Sequence, residues 1–142
     1  MKKTLLICLI AVTAMFGCKK NDDEKTVNKL LGQWKGLTEK ETEYVNGQLL
    51  REEEPYAYEE NELMLEFREK QFEIFEYGKA TEEPYTYTVS GNKITYTEDG
   101  DTKVVTIKSQ TDTNLVLVSE DTEVSGNGIT YKEVIERTFV KK

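Results

Sequence analysis

From Leu63 onward, polar and apolar residues alternate with a period of two. Leu63, Leu65 and Phe67 share one face of a strand, while Met64 and Glu66 occupy the other. Successive side chains of a β-strand point to opposite faces, so this rhythm predicts a half-buried strand. It returns at Tyr85, Tyr87 and Val89, at Ile94 and Tyr96, and at Val105 and Ile107. Gln71–Tyr77 is apolar on both faces, and Leu115–Ser119 is a short continuous apolar run. Ile129–Val140 forms the last strand. Asn46-Gly47, Gly78, Ser90-Gly91-Asn92, Glu98-Asp99-Gly100-Asp101 and Ser125–Gly128 punctuate these runs as turns.

Ahead of Leu63 the pattern is weaker. Thr26–Leu31 predicts one helical turn ended by Gly32, and Gly32–Tyr44 predicts the first strand. Gln48–Tyr58 is a second, interrupted strand, with Pro55 at a position that fits an edge. With eight or nine strands and no long helix between them, the pattern argues against parallel crossovers. An all-β antiparallel up-and-down meander follows. Closing it into a small barrel removes its exposed edges, although a two-sheet sandwich would show the same alternation.

The first residues have a different character. Met1-Lys2-Lys3 is basic, and Thr4–Phe16 is apolar and stops at Gly17-Cys18. That run is shorter than the roughly 20 residues a helix needs to span a bilayer. It reads as a secretory signal over residues 1–17. Residues 18–26 are polar, without apolar periodicity, and read as a flexible tether. Residues 27–142 are left for the barrel domain.

The cysteine at the break resembles the lipobox of bacterial lipoproteins. That resemblance implies cleavage between Gly17 and Cys18 and acylation of Cys18, which would then anchor the chain in a membrane. The residues before the cut depart from the family preference, with Met15 and Phe16 in place of Leu and a small residue. A signal cut after Ala14 would leave Cys18 as a free thiol. Acidic residues soon after Cys18 are similar to the export tags of surface-exposed outer-membrane lipoproteins of Gram-negative bacteria, and a solvated tether has the same composition.

Charge narrows the partners. The full chain carries a formal −8, and loss of Lys2 and Lys3 with the leader leaves −10. An acidic surface opposes binding to nucleic acid. Chemistry is narrowed by absence. There is no histidine, so Ser-His-Asp and Cys-His nucleophile systems and histidine metal ligands are excluded. Cys8 lies in the leader, which leaves Cys18 without an internal disulfide partner. Glu133 and Glu136 are a nominal carboxylate pair in a chain rich in acids. Glu98-Asp99-Gly100-Asp101 lacks the spaced ligands of a calcium loop and reads as a turn. No enzyme, metal or cofactor is implied.

One internal echo joins Glu53-Glu54-Pro55-Tyr56-Ala57-Tyr58 to Glu82-Glu83-Pro84-Tyr85-Thr86-Tyr87. Both read as strand entries with the same local needs, the alternative being two aromatic lips at one barrel mouth.

Gly32-Gln33-Trp34, at the start of the first strand after a helical turn, resembles the lipocalin signature. The later strands agree, and the whole from Leu30 to Lys142 is similar to small bacterial lipocalin-like lipoproteins. The resemblance implies an up-and-down barrel closed at one end by Gly32 and Trp34, with Arg137 packed across the indole. The chain is shorter than typical lipocalins and has no Thr-Asp-Tyr motif.

Two functional classes follow. In the first, Leu63, Leu65, Phe67, Tyr85, Tyr87, Ile94, Tyr96, Val105 and Ile107 face inward and line a pocket for a small apolar ligand such as a fatty acyl, isoprenoid or aromatic molecule. In the second, those side chains fill the interior, and a rim with Tyr44, Tyr56 and Tyr58 contacts glycans or other envelope proteins. An eight-stranded barrel is wide enough for either.

Overall fold

The first and last strands pair with each other, in register from Trp34↔Lys141 to Val45↔Tyr131. This pairing, in the computed structural model of residues 19–142, closes the sheet on itself. The expected antiparallel barrel is borne out, and an open sandwich is not what the chain forms. The leader, Gly17 and Cys18 lie outside the described residues.

Helix α1 (Lys19–Leu30) precedes eleven strands. They are β1 (Gly32–Val45), β2 (Gln48–Glu52), β3 (Tyr56–Ala57), β4 (Leu63–Phe67), β5 (Gln71–Glu76), β6 (Lys79–Ala80), β7 (Tyr85–Ser90), β8 (Lys93–Glu98), β9 (Asp101–Gln110), β10 (Asn114–Val124) and β11 (Thr130–Lys141). Eight of them form the barrel, in the order β1-β4-β5-β7-β8-β9-β10-β11 and back to β1. β2 and β3 are extra strands on the part of β1 that runs past β4, and β6 folds back on β5.

The two-residue turns form where the sequence demands them. Asp99 and Gly100 take φ of 51° and 87° between β8 and β9, the left-handed pair of a tight hairpin. Glu98-Asp99-Gly100-Asp101 is thus a turn, as its composition predicts.

α1 is longer than the single turn that Thr26–Leu31 predicts, and it includes most of the segment read as a tether. It covers one end of the barrel. Leu30 is fully buried there, Asp23 Oδ1 accepts a 2.5 Å bond from the Gly91 amide, and the Gln110 amide reaches the Thr26 carbonyl at 3.4 Å. These ties to the β7–β8 turn and to the end of β9 hold a polar segment whose own pattern offers little apolar face.

Under the helix, Trp34 is fully buried and donates its indole N–H to the Leu30 carbonyl at 2.6 Å. Gly32 has φ of +113°, and a Cβ there would lie 3.2 Å from Lys141 Cε. Lys141 is the cation over the indole, 5.2 Å from its centre. Arg137, the expected partner of Trp34, is elsewhere. The register sets it opposite Glu39, farther along β1.

The opposite end is open. β5 and β7 pair only at Gln71↔Thr86 and Phe72↔Tyr85, and beyond that point β5 pairs with β6 instead. β1, β10 and β11 run on past the mouth as a ribbon, with β2 paired to the free edge of β1. Among the described residues no helix is long and apolar enough to cross a membrane.

Candidate ligand cavity

A cavity of about 640 Å³ enters the barrel from the open end. Its deeper walls are apolar and come from both halves of the sheet: Leu65, Phe67, Phe72, Ile94, Leu117 and Phe139 are all buried. Strand alternation explains most of this wall. Leu65 and Phe67 sit two apart on β4, and Leu117 sits two from Leu115 on β10.

The mouth is polar and aromatic. Arg137 Nε donates to Glu39 Oε2 at 2.6 Å, and the Tyr58 hydroxyl donates to the same oxygen at 2.5 Å. A β-bulge at Gly36–Thr38 produces this arrangement. Trp34 and Gly36 are buried while Leu37 is exposed, and the added residue then brings Glu39 into the cavity wall. Gly36 lacks a Cβ for a reason of its own. An added Cβ would meet Tyr58 Cδ2 at 2.9 Å and Leu63 Cβ at 3.1 Å.

Burial and the bond to Glu39 push the Tyr58 hydroxyl up to about 12. Burial acts to lower the Arg137 pKa, but Tyr58 and Glu39 outweigh it and the guanidinium is held above its usual range. Beside Tyr58, the Tyr56 hydroxyl bonds both Glu62 oxygens at 2.9 Å, which pushes it up to about 12. Tyr96 packs edge-on against Phe72 at 5.0 Å and against Tyr85 at 5.3 Å.

Of the residues expected to face inward, Leu63, Leu65, Phe67, Ile94, Tyr96 and Val105 line the cavity. Tyr87 and Ile107 are buried in the core cluster instead, with the Tyr87 hydroxyl bonded to the Arg68 carbonyl at 2.9 Å. Tyr85 is half-buried and borders a shallow outer groove beside Glu82. Of the expected rim, Tyr56 and Tyr58 stand at the mouth, while Tyr44 lies outside the lining. Phe72, Ile74, Leu117 and Phe139 join the lining without having been singled out. Glu39 and Arg137 also join it, the latter expected at the other end of the barrel.

Carboxylates also gather outside the cavity. Among the described residues Glu41, Glu43 and Glu133 approach closely enough to share an ion. Arg51 already bridges Glu41 and Glu43 at 3.2 and 2.6 Å, which makes the group a surface ion-pair network. Glu136 pairs with Lys108 rather than with Glu133.

A family model described as a lipocalin-like domain matches residues 30–117. Among solved structures the chain is similar to apocrustacyanin C1, with 18% identity over 89% of this chain and 72% of that one and a TM-score of 0.45. It is also similar to a deswapped triple mutant of bovine odorant binding protein, with 19% identity, 80% and 74% coverage and a TM-score of 0.38. Both likenesses are distant. No curated protein matches the chain.

Proposed function

The chain belongs to the lipocalin-like family, and from that premise we propose that it is a lipid-anchored envelope protein whose barrel takes up one small, largely apolar molecule. The observation that carries the binding reading is the cavity. Its volume of about 640 Å³ falls within the range of small-molecule sites, roughly 300–1,000 Å³, and its inner wall is apolar. The competing reading, a filled barrel acting through its rim, has less support, because it rests on a packed interior.

The anchor reading rests on the leader and on Cys18. Cys18 immediately precedes α1, and α1 lies across the closed end. Acylation of Cys18 would therefore attach the membrane on the closed side and leave the mouth facing away from it. The outer membrane of a Gram-negative bacterium is the proposed location. A binding role without catalysis fits both the family and a chain without histidine.

Binding is tested with the neutral fluorophore N-phenyl-1-naphthylamine. Saturable enhancement at one site is expected, as is its loss in Ile94→Trp, which fills the cavity. Absence of saturable binding, or undiminished binding by the filled variant, would overturn the reading. The anchor is tested by labelling cells with a palmitate analogue. Label on the wild type that vanishes in Cys18→Ser is expected, and label that persists would sink it.

A further inference from the structure

The cavity wall carries four glutamates, Glu39, Glu62, Glu76 and Glu98, against one cation, Arg137. Arg137 is already engaged by Glu39 and belongs to a pair that is only about one-third exposed. Glu62, Glu76 and Glu98 meet no lysine or arginine within 4.0 Å among the described residues. Tyr56 donates to Glu62, and Tyr85 lies 3.2 Å from Glu98. Those hydroxyls satisfy oxygens but leave the negative charge uncompensated.

The same wall presents aromatic rings. Tyr56 and Tyr58 meet edge-to-face at 5.6 Å, and Tyr77 and Tyr96 also line the cavity. Aromatic faces attract cations and gain strength when the site is shielded from water. Carboxylates set among such rings oppose an anionic head group and favour a positive one. Strand alternation from Glu39 places Glu41 and Glu43 on the same face of the ribbon, just past the mouth, with Glu133 opposite Glu43. Arg51 pairs with Glu41 and Glu43, so one cation stands against these three carboxylates and the approach keeps a net negative sign; a cleft lined by one sign of charge concentrates ligands of the other.

We infer that the ligand enters as a cation: a small amphiphile with a protonated amine or quaternary ammonium head at the Glu62, Glu98 and tyrosine mouth and an apolar tail among Leu65, Phe72, Leu117 and Phe139. This rests on the binding reading above and narrows it away from the fatty acids that an apolar pocket alone would suggest.

The test compares three ligands with one tail, decyltrimethylammonium, decanol and decanoate, as competitors of bound N-phenyl-1-naphthylamine on the unmodified protein. Decyltrimethylammonium is expected to compete about tenfold better than decanol, equivalent to about 1.4 kcal/mol, with decanoate the weakest. The preference should shrink as salt is raised. Glu62→Gln/Glu98→Gln should bring decyltrimethylammonium close to decanol, read as the ratio of the two on the same variant. Equal or better competition by decanoate on the unmodified protein would overturn the inference, as would a cation preference that survives the double substitution. Failure of the fluorophore to bind at all would instead remove the binding reading on which the inference rests.

Discussion

Lys141 stands directly opposite Trp34 across the β1–β11 seam, its ammonium 5.2 Å from the centre of the indole. The seam is what makes the sheet a barrel, and this contact sits at its closed end beneath α1. The indole N–H is also committed to the Leu30 carbonyl. Trp34 therefore joins the first strand, the last strand and the helix.

Two substitutions separate these roles. Lys141→Met removes a partly exposed cation–π contact and should lower stability by about 0.5–1 kcal/mol. Trp34→Phe keeps an aromatic ring but strands a buried carbonyl and leaves unfilled space, so it should cost about 2–4 kcal/mol. Urea midpoints measured at unchanged slope report both. An effect of Lys141→Met as large as that of Trp34→Phe would contradict the account.

Much of this was legible in the residues. Leu63, Leu65 and Phe67 announce a strand by alternation alone, because one side of a barrel wall is apolar and the other wet. Gly32 and Trp34 mark the closed end for a related reason, as the backbone there needs a positive φ and a large plug. What was not legible depends on register. Choosing Lys141 over Arg137 requires knowing how β1 pairs with a strand about a hundred residues later. The bulge after Gly36 also changes which side chains face inward, and no local pattern marks it. Phe72 and Ile74 escaped because both faces of β5 are apolar, so periodicity assigns neither to the lining. Helix α1 escaped because its order comes from contacts at Asp23, Thr26 and Leu30 rather than from amphipathic spacing.

Gly36 should be sensitive out of proportion to its size. A Cβ would lie 2.9 Å from the Tyr58 ring and 3.1 Å from Leu63 Cβ. Gly36→Ala is expected to cost about 1–3 kcal/mol by overpacking and to displace Tyr58 from Glu39. Adding Tyr58→Ala should return part of that loss, since the closest clash is then gone. A double-mutant cycle checks this, and strictly additive effects would show that the two positions are uncoupled.

Alkaline pH should weaken the fold through its tyrosines. Tyr58 and Tyr87 are each pushed up to about 12, chiefly by burial, and burial moves Tyr96 in the same direction. The folded protein holds these protons more tightly than the unfolded chain, whose tyrosines titrate near 10. The associated stability is fully present below about pH 10 and is lost as pH rises through about 12. Unfolding free energy should therefore be level up to about pH 10 and then fall, alongside the tyrosinate absorbance. In Tyr58→Phe/Tyr87→Phe the fall should be shallower. An equally steep decline in that variant would assign alkaline sensitivity to other groups.

The two ends of the barrel should respond independently. Asp23 ties α1 to the Gly91 amide at the closed end, while Arg137 holds Glu39 at the mouth. Asp23→Ala removes a surface tie, so its global cost should be about 1 kcal/mol or less. Local opening is governed by few contacts at such an element, so amide exchange should quicken over residues 22–29 while the barrel strands keep their protection. Fluorophore binding should not change. Arg137→Met should do the reverse, leaving α1 exchange intact while altering binding through the unpaired Glu39. Loss of binding in Asp23→Ala would mean that the helix and the mouth are coupled, and the separation of a closed, helix-covered end from an open, cavity-bearing end would fail with it.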